Sequence, residues 1–267
     1  MLVPNLRHVL VTASAIATME GIAPGRLACA FGTGATARLA LGQPPLPWAF
    51  VRRYLEQLRT LLRGDVAEVD GGATQMVHLP RFAPERPIEV PLLLSALGPK
   101  GQEIAREVAD GVMTVGSGLA GFDWSAQLVF GTVLADGEEL TSERVKQAAG
   151  PWYTVLMYHF AYESAPDALD GLPAGREWRD ALDAERSEGE RHLAVHQGHV
   201  TDVTDRDRVV VDAAGDLLGS VGWVGDRAAI TARVAEAEAA GSTELIYAPA
   251  GPQVADELTS FAEAATG

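Results

Sequence analysis

The sequence has one cysteine, Cys29, among 267 residues. A single thiol excludes an intrachain disulfide and any metal cage built from cysteines. Cys29 sits in the apolar run Leu27-Ala28-Cys29-Ala30-Phe31, which assigns it to buried packing. No apolar stretch reaches the roughly 18 residues that a membrane-spanning helix needs. The start, Met1-Leu2-Val3-Pro4-Asn5, lacks the basic region of a secretory signal. A cytoplasmic protein is therefore expected. Positive charge is scarce, with 21 Lys and Arg against 36 Asp and Glu and a net charge of −15. That balance disfavours nucleic acid and anionic membranes as partners and leaves a small molecule. Several motifs are missing too. There is no Gly-x-Ser-x-Gly elbow and no Walker loop, and Gly32-x-Gly34 is followed by Ala37, which leaves the dinucleotide fingerprint incomplete. Serine hydrolase, kinase and standard NAD-dehydrogenase readings fall accordingly.

What is present is a repeated strand–glycine–helix unit. The first runs from Gly25 to Phe31-Gly32-Thr33-Gly34, and the second from Val90 through Leu92-Leu93-Leu94-Ser95-Ala96-Leu97-Gly98-Pro99-Lys100 to Ala109-Asp110-Gly111. Hydrophobic residues make up 47% of the chain and mean hydropathy is +0.06, as a packed globule requires. The spacing predicts helices over 9–20 and 51–62, the latter with Val51, Tyr54, Leu55, Leu58, Leu61 and Leu62 on one face and Gly64 as its stop. Strands are predicted over 25–31, 92–96, 111–115, 127–134 and 244–247. Helices follow Pro99 and Asp226, and a last one carries Val254, Leu258 and Phe261. Gly71-Gly72 and the prolines from Pro80 to Pro91 read as a surface excursion. Strands alternating with helices imply an α/β fold around a parallel sheet. A closed barrel and an open doubly wound sheet satisfy the pattern equally.

The segments Arg7-His8 with Thr12-Ala13, Pro24-Gly25-Arg26 leading to Phe31-Gly32-Thr33-Gly34, Ser95-Ala96-Leu97-Gly98-Pro99-Lys100, and Ala109-Asp110-Gly111-Val112 occur in an order and spacing that resembles the luciferase-like monooxygenases. These are flavin- or deazaflavin-dependent oxidoreductases and include methylenetetrahydromethanopterin reductase. The stretch from Gly225-Asp226 to Gly251-Pro252 is similar to the family's last helix and strand. The resemblance implies a TIM-type (β/α)8 barrel in a single domain, residues 1–267, with an insertion in 117–222 that shapes a substrate pocket. In the family an Arg-His segment follows the third strand. The barrel is therefore expected to be incomplete or atypical at its N-terminus, lacking two β/α units and most of a third. A fragment or misassigned start, a gap covered by a dimer partner or rearranged segments, and a reduced barrel all stay open; the family's catalytic groups on those strands are not carried over, and the catalytic residues stay unassigned. The cofactor implied is FMN or 8-hydroxy-5-deazaflavin (coenzyme F-420). Gly32, Thr33 and Gly34 match the loop that contacts its tail, and Ser95, Ala96, Leu97 and Gly98 match the loop that cradles its phosphate. Ala35 stands where some deazaflavin enzymes carry an acidic residue. A homodimer is implied. The alternative is a non-catalytic flavin-binding or assembly protein derived from a truncated barrel.

The other polar residues read mainly as structural. Asp110 is a turn cap, Arg7 and His8 form a cap or ion pair, and Arg38 and Lys100 are divided between an anion contact and the surface. His159, in Met157-Tyr158-His159-Phe160, reads as a core histidine. The spacing of four puts His192 and His196 on one helix face, as a metal pair would need, with His199 beyond. Leu193 occupies the glutamate position of His-Glu-x-x-His. Structural histidines come first here and a pocket contact second. No metal is expected, and a metal-dependent hydrolase built on His192 is the third reading.

Overall fold

The computed structural model describes residues 1–79 and 81–267. They form two compact units: residues 1–38, 44–114 and 119–126, and residues 39–43, 115–118 and 127–267. Among the described residues, no helix is long and apolar enough to cross a membrane.

The first unit contains α1 (Val9–Ile22), β1 (Cys29–Phe31), α2 (Ala35–Leu39), α3 (Trp48–Arg63), β2 (Ala67–Val69), β3 (Gly72–Thr74), β4 (Leu92–Ser95), α4 (Pro99–Val108) and β5 (Gly111–Val115). β4 lies between β1 and β5, parallel to both, with Phe31 opposite Leu94 and Ser95 opposite Met113. The residues Cys29, Phe31, Leu92, Leu94 and Val112 share one face and join the helices in a core with Leu55, Leu58 and Leu61. All six apolar residues predicted for the α3 stripe are buried, each worth about 1.5–3 kcal/mol. Gly64 ends α3 in the left-handed region at φ 86° and donates its N–H to Leu61. Asp110 ties the layers together: its Oδ2 accepts from the Leu92 N–H and from Arg59, each at 2.8 Å. Asp110 is structural, as expected, but it works as a strand-to-helix tie and not as a turn cap.

Two expectations change in this unit. The strand predicted over 25–31 is only Cys29–Phe31, because Gly25 adopts φ 70° and Arg26 N–H bonds back to Ala23, which makes a turn. The excursion around Gly71-Gly72 is an antiparallel hairpin, β2 with β3. Pro80, placed in that loop from the sequence, lies outside the described residues.

The second unit follows with β6 (Ser125–Val129, from Gln127 on), β7 (Gly131–Val133), α5 (Glu143–Thr154), α6 (Phe160–Ser164), α7 (Gly175–Glu185), α8 (His192–Val195), α9 (Asp205–Ala214), β8 (Trp223–Gly225), α10 (Arg227–Ala239), β9 (Glu244–Tyr247) and α11 (Val254–Thr266). β7 pairs parallel with β8, and Ala248 N–H bonds Val129 O beyond the end of β9. The single strand predicted over 127–134 is two, broken at Phe130. Gly131 has φ 126°, and a Cβ there would lie 2.2 Å from Trp223 O, so the chain turns where only glycine fits. Asp226 caps α10 by accepting from Ala229 N–H, as its position predicts. Between α5 and α6 the helix widens into a π-turn, Val155–His159. The structure shows an α/β fold with parallel strand pairing. It does not show barrel closure.

Candidate functional site

Parallel pairing of β1 with β4 brings the two glycine-bearing loops side by side at the strands' carboxyl ends, where α/β proteins bind ligands. A Cβ on Gly32 would stand 3.4 Å from the Ser95 Cβ. Thr33 and Ser95 are half-buried, and among the described residues neither hydroxyl has a hydrogen-bond partner. Gly98 is the N-cap of α4, with no side chain capping the helix and Pro99 in its first turn. It is exposed, and nothing lies within 4 Å of where its Cβ would be. The first N–H groups of α4 without a partner within the helix are those of Lys100, which is exposed, and Gly101, which is buried against Trp48. Leu97 is 65% exposed and presents apolar surface beside them.

Other residues of the two loops do structural work. Ala96 is fully buried, and its N–H bonds Met113 O. Gly34 has φ 74°, and its Cβ would come within 2.4 Å of Val3 Cγ1, so this glycine is needed by packing inside the chain. Lys100 is exposed, and Arg38 donates to the Pro44 carbonyl. His8 caps α1, accepting from Leu10 N–H at 3.2 Å, and the Arg7 carbonyl accepts from Tyr54. A hollow of about 970 Å³ lined by Arg7, His8, Arg53, Tyr54 and Asp70 includes no residue of either glycine loop. The donor set at the loops is two free hydroxyls, one uncapped helix start and no carboxylate. Such a set of donors suits an anionic group.

A second constellation lies in the second unit. The π-turn carries His159 inward, where Nε2 is 3.4 Å from Asp207 Oδ1. Asp207 Oδ1 also accepts from Trp178 Nε1 at 2.7 Å, and Oδ2 accepts from the Thr204 hydroxyl at 2.7 Å. Burial alone would raise the Asp207 carboxyl, but these partners, His159 first, outweigh it and hold the group below its usual range. His196 and His199 join His159, and one nitrogen from each lies within 4.8 Å of the others. Burial, and then the charge of the neighbouring histidines, push both His196 and His199 down to about 4. Glu163 Oε1 is 3.9 Å from His196 Nε2, and burial raises its carboxyl.

The sequence pairing of His192 with His196 is corrected here. α8 stops after four residues, with His196 at its C-cap. His192 lies outside the trio and packs by Gly42, and His159 takes its place. Asp207 and Trp178 were not foreseen. One signal pointed to Asp207: it occupies the buried stripe of α9 with Val210, Val211 and Ala214.

A protein-family model described as luciferase-like monooxygenase matches residues 1–244. Among solved structures, the coenzyme F-420-dependent tetrahydromethanopterin reductase of Methanopyrus kandleri aligns over 97% of this chain and 80% of its own, at 18% identity and a TM-score of 0.55. An F-420-dependent secondary alcohol dehydrogenase, in complex with an F-420–acetone adduct, aligns over 97% and 75%, at 18% identity and a TM-score of 0.51. At that identity the likeness speaks to the fold, while the family match spans most of the sequence. The chain belongs to the luciferase-like monooxygenase family.

Proposed function

We propose that this protein is an oxidoreductase that binds FMN or coenzyme F-420 and acts on a small organic substrate by hydride transfer or oxygen activation. The observation that carries the reading is the open, uncapped start of α4 at Gly98, set beside the unpartnered hydroxyls of Thr33 and Ser95. The solved relatives named above are F-420-dependent enzymes, which supports the cofactor class. When bound, the cofactor supplies the redox chemistry. The chain binds and orients it. The α4 N–H groups on Lys100 and Gly101 and the hydroxyls of Thr33 and Ser95 donate to its phosphate, and the Gly32–Gly34 loop contacts its tail. Leu97 covers the neighbouring surface and excludes water. The reading takes residues 1–267 as one domain working as a homodimer. Light scattering at twice the 28.2 kDa chain mass would bear out the dimer.

The test is a fluorescence titration of the purified chain with FMN and with coenzyme F-420. One of the two should bind at micromolar concentration or tighter. Gly98→Phe, which fills the open space without touching the core, should weaken that binding at least about tenfold, the worth of roughly one charge-assisted hydrogen bond. A folded chain that binds neither cofactor refutes the proposal, and unchanged affinity in Gly98→Phe refutes the phosphate placement. Binding without turnover would turn the reading toward the non-catalytic alternative.

A further inference from the structure

The histidine trio has the features of a metal site that the oxidoreductase reading does not use. His159 is 1% exposed and His196 is 9% exposed. Among the described residues, His159 Nδ1, both ring nitrogens of His196, and His199 Nδ1 are buried with no hydrogen-bond partner. Four orphaned nitrogens on three converging rings are costly unless something accepts their lone pairs or donates to them. The rings meet edge to face, at 5.6 Å between the His159 and His196 centroids and 5.3 Å between those of His196 and His199.

The surroundings select the tautomer. Asp207 can only accept, so His159 Nε2 carries the proton towards it and Nδ1 is left with a buried, unpartnered lone pair. A carboxylate–histidine pair of this kind is the usual outer support of a metal-bound imidazole. Trp178 and Thr204 fix the carboxylate in turn.

The backbone on both sides is irregular in a way that serves the cluster. His159 ends a π-turn, a feature concentrated at functional sites. His199 is followed by Val200 at φ 50°, a strained conformation for a β-branched residue, and preceded by Gly198 at φ 72°. Charge balance also favours a dication. Two carboxylates face the trio, Asp207 at His159 and Glu163 at 3.9 Å from His196, and Arg206 Nε stands 3.8 Å from Asp207 Oδ1.

We propose that His159, His196 and His199 bind one divalent transition-metal ion of zinc type, with Asp207 as the orienting carboxylate. Imidazole nitrogens suit zinc, cobalt, nickel and copper. At bond lengths of about 2.0–2.1 Å, tetrahedral ligand nitrogens stand roughly 3.3 Å apart. The trio, at up to 4.8 Å, closes by a shift of the short loop that carries His199. Glu163 or a water completes the fourth position. The site would join the π-turn and the 196–204 loop to α9, independently of the cofactor loops.

The test uses the full chain, stripped with a chelator and then titrated with Zn²⁺ against a colorimetric competitor and with Co²⁺ by visible absorption. One ion per chain and a tetrahedral-type Co²⁺ spectrum are expected. His199→Ala should lower the affinity at least about 100-fold, Asp207→Asn about 10–100-fold, and His192→Ala not at all. Should His199→Ala fail to fold by circular dichroism, His199→Gln carries the same comparison. A folded protein that takes up no stoichiometric Zn²⁺ or Co²⁺ overturns the proposal. So does binding that His199 variants leave intact, or that His192→Ala removes.

Discussion

Removing Arg144 should produce the largest single-charge stability loss in the second unit. Its guanidinium donates to Glu257 Oε1 at 2.7 Å, to the Thr132 hydroxyl and Val133 carbonyl, each at 2.9 Å, and to both carboxylate oxygens of Glu138. The Glu257 side chain is 2% exposed, Glu138 14% and Arg144 30%. Arg144→Met leaves the Glu257 carboxylate buried, with the Thr132 hydroxyl and a Tyr247 hydroxyl shared with the Gly131 carbonyl as its side-chain donors among the described residues. Stranding one member of a buried pair costs about 3–5 kcal/mol. The exposed edge of Arg144 points to the lower end, about 3 kcal/mol. At roughly 2–4 °C per kcal/mol for a chain of this size, calorimetry should show a Tm lower by about 6–12 °C. The double variant Arg144→Met/Glu257→Gln should recover about half of that, because the more deeply buried carboxylate is neutralised, while Glu138 keeps the Ala135 N–H and the Ser142 hydroxyl as donors. The acid limb gives an independent check. The Arg144 hydrogen bonds, opposed by burial, lower the Glu138 carboxyl to about 2. A carboxyl lowered in the folded state adds stability above its unfolded value, and that contribution is lost as pH falls from about 4.5 towards about 2. The wild-type protein should lose stability across this window, and Arg144→Met should lose less of it. A Tm change under about 2 °C with an unchanged acid limb would show that solvent screens the cluster, and the argument would fail.

Leu58, fully buried at the centre of the α3 stripe, should cost about 2–5 kcal/mol when changed to alanine, measured by urea unfolding; a loss below 1 kcal/mol would place it outside the core. Gly34→Ala should destabilise by about 1–3 kcal/mol, from the left-handed backbone and the clash with Val3. Val3→Ala in the same chain should recover part of that loss, and no recovery would mean that the contact is not the cause. Burial raises the Cys29 thiol despite the counteracting N-terminal charge, so a thiol reagent should label it only in urea. Rapid labelling of the folded protein would contradict its buried place on β1.

The first unit was legible where local pattern and packing agree. The α3 stripe has the helical period and a glycine stop, and Gly98-Pro99 announces the start of α4. The β2–β3 hairpin was not legible, because strands of three residues give no alternation to read. In the second unit, the π-turn at Val155–His159 and the 3-10 turns at Pro166–Gly171 and Glu188–Glu190 break the 3.6-residue period that sequence reading depends on. The split of the predicted 127–134 strand depends on Trp223, nearly a hundred residues away, which a local window does not contain.

The two candidate sites differ in legibility for the same reason. The glycine loops are contiguous in sequence, and their chemistry is local: hydroxyls, glycines and a helix start. The histidine trio joins a π-turn to a loop 37 to 40 residues later, and its supporting carboxylate comes from a third element. Spacing alone selected His192 with His196, a pairing valid only if a helix continued through both, and α8 ends first. Asp207 was the better guide. A carboxylate in the apolar stripe of α9 is expensive without donors, so its position alone requires buried partners elsewhere in the chain. Trp178, Thr204 and His159 are those partners. His159, held by Asp207 through Nε2, packs edge to face on His196, which packs on His199, and a polar residue out of place on one helix leads to the whole cluster.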